Sequence, residues 1–333
     1  MFAAPAVAGE QLFIGSCAGL VYALNKRTGD TLWTYDTFGK SFHGDPIVTD
    51  SLLIIPTDDR WFDGAEGPVL CLRRADGSLV WRFDPAGFSQ LGIGVTTSLT
   101  LAEDKVIGVT MQDEVVALDL ATGDLRWRYR TDYDTTNNYW ASVPVVVDST
   151  VYHAGLDGSL TALALGDGAV RWRADIGSRV TTSLGHVDGS LYCGAENGFF
   201  YRWSTDGAAH DSLALDGMPI YLLGVSDERL IVLNSPNAEF NLNLVTAVDP
   251  SLDSLLWETA SEAGLGWTIK QTYFWRDFVL AGDADGVVSL MNKDTGVIEA
   301  SFGVTGEIRS LGFDDNVIYV GTISGMVYAV GAL

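Results

Sequence analysis

The chain has 333 residues, of which 47% are hydrophobic and 19% are charged, and its formal net charge is −23. So many acidic side chains repel a phosphate backbone, which argues against nucleic acid as a partner. No apolar run approaches the ~20 residues of a membrane-spanning helix, so we expect no transmembrane segment. Lysine is scarce, with 5 residues beside 15 arginines. An acidic surface of this kind indicates either a solubilising coat or a halophilic protein.

The start of the chain and its three cysteines say little about the compartment. Residues 1–5 lack the basic start and the apolar stretch of a signal peptide. Cys71 and Cys193 are predicted to be small buried residues in strands, and Cys17 is predicted to lie in a hairpin turn. Because the number is odd and no two cysteines are close, we expect no disulfide framework.

One three-residue phrase recurs eight times along the chain, at intervals of 39 to 48 residues. Its copies are Tyr22–Leu24, Leu70–Leu72, Val116–Leu118, Thr161–Leu163, Tyr201–Trp203, Thr246–Val248, Ser289–Met291 and Tyr328–Val330. A period of this length is typical of proteins in which each repeat is one small supersecondary unit. We therefore interpret residues 1–333 as one domain of eight similar units.

The residues of each unit predict four short strands. In the first unit these are the apolar run Ala4–Val7, the run Leu12–Gly15, the repeated phrase and a strand around Trp33. Turns with glycine separate the strands, because glycine accepts the positive φ of tight hairpins. The whole chain contains eight first, second and third strands but seven fourth strands. Either the last unit has three strands, or an N-terminal segment that would complete it has been removed.

A tryptophan occupies the same place in the fourth strand of most units, four residues after the turn glycine. These tryptophans are Trp33, Trp81, Trp127 and Trp172, with Trp257 in the equivalent place without that glycine. Asp211 and Ala300 take the place in the fifth and seventh units. A periodic aromatic residue usually serves a periodic interface, so we expect the five tryptophans to pack between neighbouring units.

Short alternating strands with regular turns indicate an all-β fold. Four strands per unit at this period predict an eight-bladed β-propeller of four-stranded antiparallel blades, with a last blade that lacks its outer strand. Tyr-Ala-Leu followed by Thr-Gly-x-x-x-Trp resembles the repeat of PQQ-like (pyrroloquinoline-quinone-type) propellers. The best copies of that motif are Val21–Trp33, Val115–Trp127 and Leu160–Trp172, and the resemblance covers nearly the whole chain.

The resemblance implies alternative functions. BamB-like non-enzymatic propellers are similar in length and bind protein partners, which implies a scaffold of the extracytoplasmic cell envelope without a cofactor. Quinoprotein alcohol dehydrogenases bind PQQ and calcium and typically carry adjacent disulfide-bonded cysteines, and no adjacent cysteines occur in this sequence. A third alternative is a sensor propeller from a larger membrane-bound protein. The leading hypothesis is a BamB-like monomer that binds a protein partner or an extended ligand.

Long insertions are predicted on one face of the propeller. Because antiparallel strands alternate in direction, the loops after second and fourth strands leave a blade on the same side. All the long loops are of these two types, and function on rigid scaffolds concentrates in such loops. Aromatic, arginine and asparagine side chains are typical of recognition surfaces. The candidate binding residues are Arg60, Trp61, Phe62, Phe88, Gln90, Tyr133, Asn137, Asn138, Tyr139, Trp140, Phe240, Asn241 and Trp267.

Catalytic and metal-binding patterns are weak. Four histidines are assigned to different units without the spacing of metal ligands: His43, His153, His186 and His210. Asp283–Gly286 starts like a calcium loop, but Val287 and Asp294 stand where an EF-hand needs further ligands, so a hairpin turn is predicted. Lys40 and Lys270 border loops near the centre of the ring and give only a weak indication of a site. We predict no catalytic constellation and no metal site.

Overall fold

Eight antiparallel sheets follow one another along the chain, each built from one predicted unit. The computed structural model describes residues 3–16, 18–40, 42–57, 67–85, 97–110, 112–133, 142–236, 243–261 and 274–331. Within these ranges there is no helix, seven sheets have four strands, and the last sheet has three. The predicted all-β, eight-bladed propeller with a three-stranded last blade is therefore confirmed.

The strands of the first four blades are paired in chain order within each sheet. Blade 1 contains β1 (Ala6–Ala8), β2 (Gln11–Gly15), β3 (Leu20–Asn25) and β4 (Thr31–Asp36). Blade 2 contains β5 (Ile47–Val48), β6 (Leu52–Pro56), β7 (Val69–Arg73) and β8 (Leu79–Phe83). Blade 3 contains β9 (Thr100–Ala102), β10 (Lys105–Val109), β11 (Glu114–Asp119) and β12 (Leu125–Arg130). Blade 4 contains β13 (Val145–Val147), β14 (Thr150–Ala154), β15 (Ser159–Ala164) and β16 (Val170–Asp175).

The last four blades repeat this order. Blade 5 contains β17 (Gly185–Val187), β18 (Ser190–Gly194), β19 (Phe199–Ser204) and β20 (His210–Ala214). Blade 6 contains β21 (Met218–Val225), β22 (Leu230–Ser235), β23 (Asn243–Val248) and β24 (Leu255–Ser261). Blade 7 contains β25 (Phe274–Trp275), β26 (Phe278–Gly282), β27 (Val287–Asn292) and β28 (Ile298–Gly303). Blade 8 contains β29 (Ile308–Phe313), β30 (Val317–Thr322) and β31 (Val327–Gly331).

The apolar core lies in layers between neighbouring blades. Every residue of β11 and β14 is buried, as expected of second and third strands that are covered on both faces. The fourth strands β4 and β16 instead alternate between exposed and half-buried residues, because their outer edge faces solvent. One cluster joins Phe13 and Val21 of blade 1 to Leu53 and Leu72 of blade 2. Each blade thus buries its faces against its neighbours, which is the rule in repeat arrays.

Five fourth-strand tryptophans reach across to the next blade, where each indole N–H donates to a backbone carbonyl of the turn between the third and fourth strands. The pairs are Trp33 with Arg74 at 3.0 Å, Trp81 with Leu120 at 2.9 Å, Trp127 with Leu165 at 2.8 Å, Trp172 with Thr205 at 3.0 Å and Trp257 with Lys293 at 3.0 Å. Each ring also covers the glycine of that turn. A β-carbon on Gly77 would fall 2.5 Å from the Trp33 ring, and one on Gly168 would fall 2.7 Å from the Trp127 ring. We call this contact the Trp–Gly joint.

The interface between blades 5 and 6 replaces both partners of the joint. Asp211 stands opposite Arg202 in the ladder of blade 5, where a tryptophan would otherwise lie. The facing turn of blade 6 carries Leu252 at a φ of 64°, a conformation that usually requires glycine. Leu252 is 4% exposed and packs with Leu213 and Tyr192 of blade 5. The leucine therefore fills, from the opposite side, the space that an indole takes in the five interfaces with a Trp–Gly joint.

The ring closes where blade 8 meets blade 1. Strand β1 contacts β5 of blade 2 on one side and β29 of blade 8 on the other. The Lys26 ammonium lies 3.0 Å from the Asp314 carboxylate, and Tyr319 of blade 8 packs with Leu12 and Ile14 of blade 1. Among the strands that the structure describes, none is shared between these two blades. Side-chain contacts and the close approach of the Pro5 backbone to Gly312 therefore close the described ring.

Candidate functional site

All the long connections between strands leave the propeller on one face. They follow β4, β6, β8, β12, β16, β22 and β24, which are second or fourth strands, and they span residues 37–46, 57–68, 84–99, 131–144, 176–184, 236–242 and 262–273. The turns on the opposite face are short, as at residues 9–10 after β1 and 26–30 after β3. We call the elaborated surface the loop face.

Tyr133 is the one candidate binding residue that lies within the described ranges, and it is half-buried near the start of the connection 131–144. The other candidates lie outside the described residues: Arg60, Trp61, Phe62, Phe88, Gln90, Asn137, Asn138, Tyr139, Trp140, Phe240, Asn241 and Trp267. Their part in a binding surface stays a prediction.

Carboxylates of two neighbouring turns hold the start of the connection 131–144. The Thr131 hydroxyl donates to Asp113 at 2.7 Å, and the backbone N–H of Asp132 donates to Asp157 at 3.3 Å. The Arg173 guanidinium lies 2.8 Å from Asp157 and 3.7 Å from Asp132. Burial raises the pKa of Asp157, but hydrogen bonds, including the one from Arg173, hold that pKa below its ordinary value. The connection therefore begins from a fixed, charged base.

Asp113, which is not among the residues predicted from the sequence, is fully buried at the centre of this base. Its Oδ1 lies 2.9 Å from Nε2 of His153, which is also fully buried, and its Oδ2 accepts the Leu156 N–H at 2.8 Å. With Thr131, three partners satisfy this side chain, as a buried polar group requires. Asp113 has a φ of 60° and occupies the turn position in blade 3 that Gly158 occupies in blade 4. An aspartate in a repeated glycine position is the sequence signal that identifies it, because aspartate tolerates this conformation.

Three described side chains of reactive types, those of Asp283, Cys71 and Cys193, close a turn or are buried in strands. In the described part of the chain, no three His, Cys, Asp or Glu side chains come together as metal ligands do. The Asp283 carboxylate accepts the N–H groups of Asp285 at 2.9 Å and Val287 at 2.8 Å, so it closes a hairpin turn. Cys71 and Cys193 are free and buried, and burial raises the pKa of each thiol to about 12. Neither thiol is therefore a thiolate nucleophile at neutral pH.

The expectation that each histidine lies in its own unit was wrong. His186 lies in β17 and His210 in β20, so both belong to blade 5, at opposite edges of the sheet. The strand β17 has only three residues, which gives too little pattern to mark where the unit begins. His210 stacks on Trp203 with a centroid distance of 4.5 Å, and burial lowers the pKa of His186. Lys40 is half-buried in the connection after β4.

The ring of eight sheets and its repeated Trp–Gly joints define the chain as a PQQ-like β-propeller. The described residues contain no helix with the length and apolar character needed to cross a membrane. The profile of the family described as outer membrane protein assembly factor BamB matches residues 2–210, which is more than half of the chain. The chain therefore belongs to the BamB family.

Curated relatives are similar along much of the chain. Outer membrane protein assembly factor BamB of Yersinia pestis is 26% identical over 332 residues, which cover 96% of this chain and 69% of that protein. BamB of Moranella endobia is 29% identical over 178 residues, which cover 51% of this chain and 43% of that protein. BamB of Salmonella typhimurium is 30% identical over 210 residues, which cover 60% of this chain and 50% of that protein. The chain thus spans about half or less of the length of two of these three relatives.

Solved structures share the architecture at low sequence identity. BamB from Moraxella catarrhalis superposes with a TM-score of 0.76 and 22% identity, covering 99% of this chain and 94% of that one. The quinohemoprotein alcohol dehydrogenase from Comamonas testosteroni superposes with a TM-score of 0.70 and 14% identity, covering 96% of this chain and 70% of that one. At these identities the likeness shows the fold alone, and a fold shared by such different proteins does not define a function.

Proposed function

We propose that this chain is a non-enzymatic propeller scaffold of the cell envelope that takes part in outer membrane protein assembly. In this proposal it acts as a monomer, needs no cofactor and binds a protein partner through the loop face. Membership of the BamB family supports the assembly role. The observation that carries the binding surface is the placement of all long connections on one face of the ring, because binding residues on rigid scaffolds concentrate in such loops.

The composition of the loop face suits a protein partner. Trp61, Trp140 and Trp267 are aromatic residues of the kind that anchor protein interfaces. Fixing the connection 131–144 at Thr131 and Asp132 reduces the conformational entropy that is lost when the loop is ordered by a partner. The net charge of −23 attracts a partner with a basic surface and speeds its encounter with the propeller.

Affinity capture from envelope extracts of the source organism tests the proposal. The tagged wild type is compared with a triple variant in which Trp61, Trp140 and Trp267 are each replaced by alanine. We expect the outer membrane assembly proteins captured by the wild type to fall at least tenfold in the triple variant, measured by quantitative mass spectrometry. Capture is repeated at about 0.15 M and about 2 M KCl, since salt weakens surface electrostatics.

A matched control removes three apolar side chains from outer strands, away from the loop face. Leu32, Val170 and Ile298 are 49%, 51% and 48% exposed and are each replaced by alanine. We expect this variant to capture the same proteins as the wild type. Unchanged capture by the loop-face variant would refute the binding surface. A wild type that captures no assembly protein at either salt concentration would refute the assembly role.

Cofactor independence has its own test. The purified protein is titrated with PQQ and CaCl₂ while its absorption spectrum and alcohol-dependent dye reduction are followed. We expect no saturable spectral change and no dye reduction. A saturable change with dye reduction would instead establish the quinoprotein alternative.

A further inference from the structure

Phe38 is the most exposed large apolar side chain in the described part of the chain. It lies in the connection 37–46, which follows β4 on the loop face, and it is 81% exposed. The next in order is Val297, which is 58% exposed in a turn of the opposite face. Single apolar residues are common on protein surfaces, so this exposure alone indicates no function. The backbone of Phe38 supplies a second, independent observation.

Phe38 has a φ of 59°, in the left-handed region that suits glycine. The corresponding turn of blade 4 carries Gly177 in this place, with a φ of 76°. The two turns have the same hydrogen bond: the Phe38 N–H donates to the Asp36 carboxylate at 2.7 Å, and the Gly177 N–H donates to the Asp175 carboxylate at 2.8 Å. The turn therefore forms without a side chain at this place, and a phenylalanine there strains the backbone.

The fold gains little from the Phe38 ring to offset this strain. A phenylalanine stabilises a fold mainly through the apolar surface that it buries, and this ring is mostly in solvent. Residues held in sparsely populated backbone conformations cluster at binding sites and switch regions, where the strain fixes a side chain for its task. The combination of strain and exposure therefore indicates a ring that acts on something outside the described fold.

The turn that carries the ring is held rigidly. Thr37 is buried, and both its N–H and its hydroxyl donate to the Gly19 carbonyl of the neighbouring turn, at 2.8 and 2.7 Å. A β-carbon on Gly19 would fall 2.6 Å from the Gly39 nitrogen, so the two turns touch. The surface next to this contact is formed by the small, exposed residues Ala18 and Gly39. Phe38 thus projects as a fixed knob from a low base.

We propose that Phe38 is an anchor that inserts into a preformed apolar pocket of a folded protein partner bound to the loop face. This inference rests on the proposed scaffold function and adds the shape of the partner's surface, because a projecting ring requires a concave one. Aromatic side chains that fill a pocket contribute much of the binding energy of an interface. The fixed turn also reduces the conformational entropy that is lost on binding.

The charge around the ring favours a protein with a basic surface over the other partners of an exposed aromatic residue. Asp36, whose carboxylate holds the Phe38 N–H, is exposed, and the whole chain carries a net charge of −23. An anionic lipid surface repels such a protein, since lipid headgroups of this kind attract basic segments. A second copy of the chain has the same negative charge and is repelled in the same way.

Capture from envelope extracts, as described above, is compared for the wild type, Phe38→Asn and Val297→Asn. Asparagine accepts the left-handed conformation, so Phe38→Asn keeps the turn and removes the ring. We expect Phe38→Asn to reduce the captured outer membrane assembly proteins at least tenfold. Val297→Asn, which removes an exposed apolar side chain from the opposite face, is expected to leave capture unchanged. The Tm of Phe38→Asn is expected to equal or exceed that of the wild type, whereas a structural role of the ring would lower it.

Two further measurements test the strain and the pocket separately. Gly177→Phe places a ring in the corresponding turn of blade 4, where a β-carbon would have no described neighbour within 4 Å. Because the new side chain meets no clash, the strain alone is expected to lower Tm by about 2 °C. p-Benzoylphenylalanine in place of Phe38 is expected to photo-cross-link to apolar residues of a folded domain in a captured assembly protein.

The outcomes separate this proposal from the proposed function. Capture of assembly proteins by the wild type that is unchanged in Phe38→Asn would refute the anchor and leave the assembly role intact. A Tm of Phe38→Asn clearly below that of the wild type, or an unchanged Tm of Gly177→Phe, would overturn the argument from strain. Phe38-dependent flotation with vesicles of phosphatidylethanolamine and phosphatidylglycerol would assign the ring to a membrane. A dimer that Phe38→Asn disperses, seen by light scattering, would assign it to a second copy. A wild type that captures no assembly protein would refute both proposals.

Discussion

Replacing Trp127 by alanine removes one Trp–Gly joint between blades 3 and 4. The indole is 7% exposed, donates to the Leu165 carbonyl at 2.8 Å and covers Gly168, which has no side chain to fill the space. Burying ~200 Å² of indole at ~25 cal/mol per Å² is worth about 5 kcal/mol, and Trp-to-Ala changes in cores cost ~3–5 kcal/mol. We expect Trp127→Ala to lower the free energy of unfolding by about 4 kcal/mol.

A second substitution tests whether the volume left empty by the indole causes this loss of stability. Leu252 fills the interface between blades 5 and 6 from the turn side at a φ of 64°, and Gly168 has a φ of 73°. A β-carbon on Gly168 would fall 2.7 Å from Trp127, so Gly168→Leu alone is expected to cost about 3 kcal/mol through overpacking. In the Trp127→Ala background the leucine enters the vacated space and regains about 2 kcal/mol of burial. The double variant is therefore expected to cost about 2 kcal/mol instead of the additive ~7 kcal/mol, a coupling of about 5 kcal/mol.

Urea unfolding followed by far-ultraviolet circular dichroism measures all four proteins of this cycle. Trp81→Ala combined with Gly168→Leu provides the control, because Trp81 belongs to a different joint and Trp127 still meets the new leucine. That pair is expected to be additive within ~0.5 kcal/mol. A coupling energy below about 0.5 kcal/mol between Trp127→Ala and Gly168→Leu would refute the idea that the indole and the turn residue share one space.

Three further predictions concern charge. The hydrogen bond from Arg126 and those from Thr122 lower the pKa of Asp119 to about 2, below the unfolded value of ~3.9. We therefore expect Asp119→Asn to lower the free energy of unfolding at pH 6, and this difference from wild type to disappear as the pH falls from about 4 to 2. Urea titrations of both proteins measure the difference. Asp113→Ala leaves three groups without their buried acceptor and is expected to cost about 3–5 kcal/mol, whereas Asp113→Asn, which keeps a side chain suited to positive φ, should cost less in the same assay. If the protein is halophilic, its Tm should rise by several degrees between about 0.1 and 2 M KCl, because salt screens the repulsion within a surface of net charge −23. A Tm that stays constant or falls would favour an acidic surface that only keeps the protein soluble.

The architecture was predictable because the repeat places the same local signals in every unit. Turn glycines such as Gly158 and Gly198 do take positive φ, and the phrase they precede forms the third strand of each sheet. The exchange of partners between blades 5 and 6 was not predictable. Leu252 has no local signal that marks it as a left-handed turn residue, and its role depends on the missing tryptophan of the preceding blade.

The candidate site was less predictable than the fold, for a physical reason. A repeat predicts contacts that every unit makes, whereas the loop face consists of insertions that occur once and have no internal counterpart. Asp113 lies between these cases, since only its departure from the repeated turn glycine marks it. The partners of Asp113 are distant in sequence, and the pairing with His153 across blades follows from the ring geometry rather than from spacing.

The closure between blades 1 and 8 gives the propeller a mechanical seam. Lys26, Asp314 and a small apolar cluster around Tyr319 hold the two ends together, without a Trp–Gly joint. The interfaces that follow blades 5 and 7 lack the joint as well, because Asp211 and Ala300 take the place of the tryptophan there. Resistance to opening therefore varies around the ring, and we expect the backbone amides of β31 to exchange faster than those of β11, whose blade lies between two Trp–Gly joints.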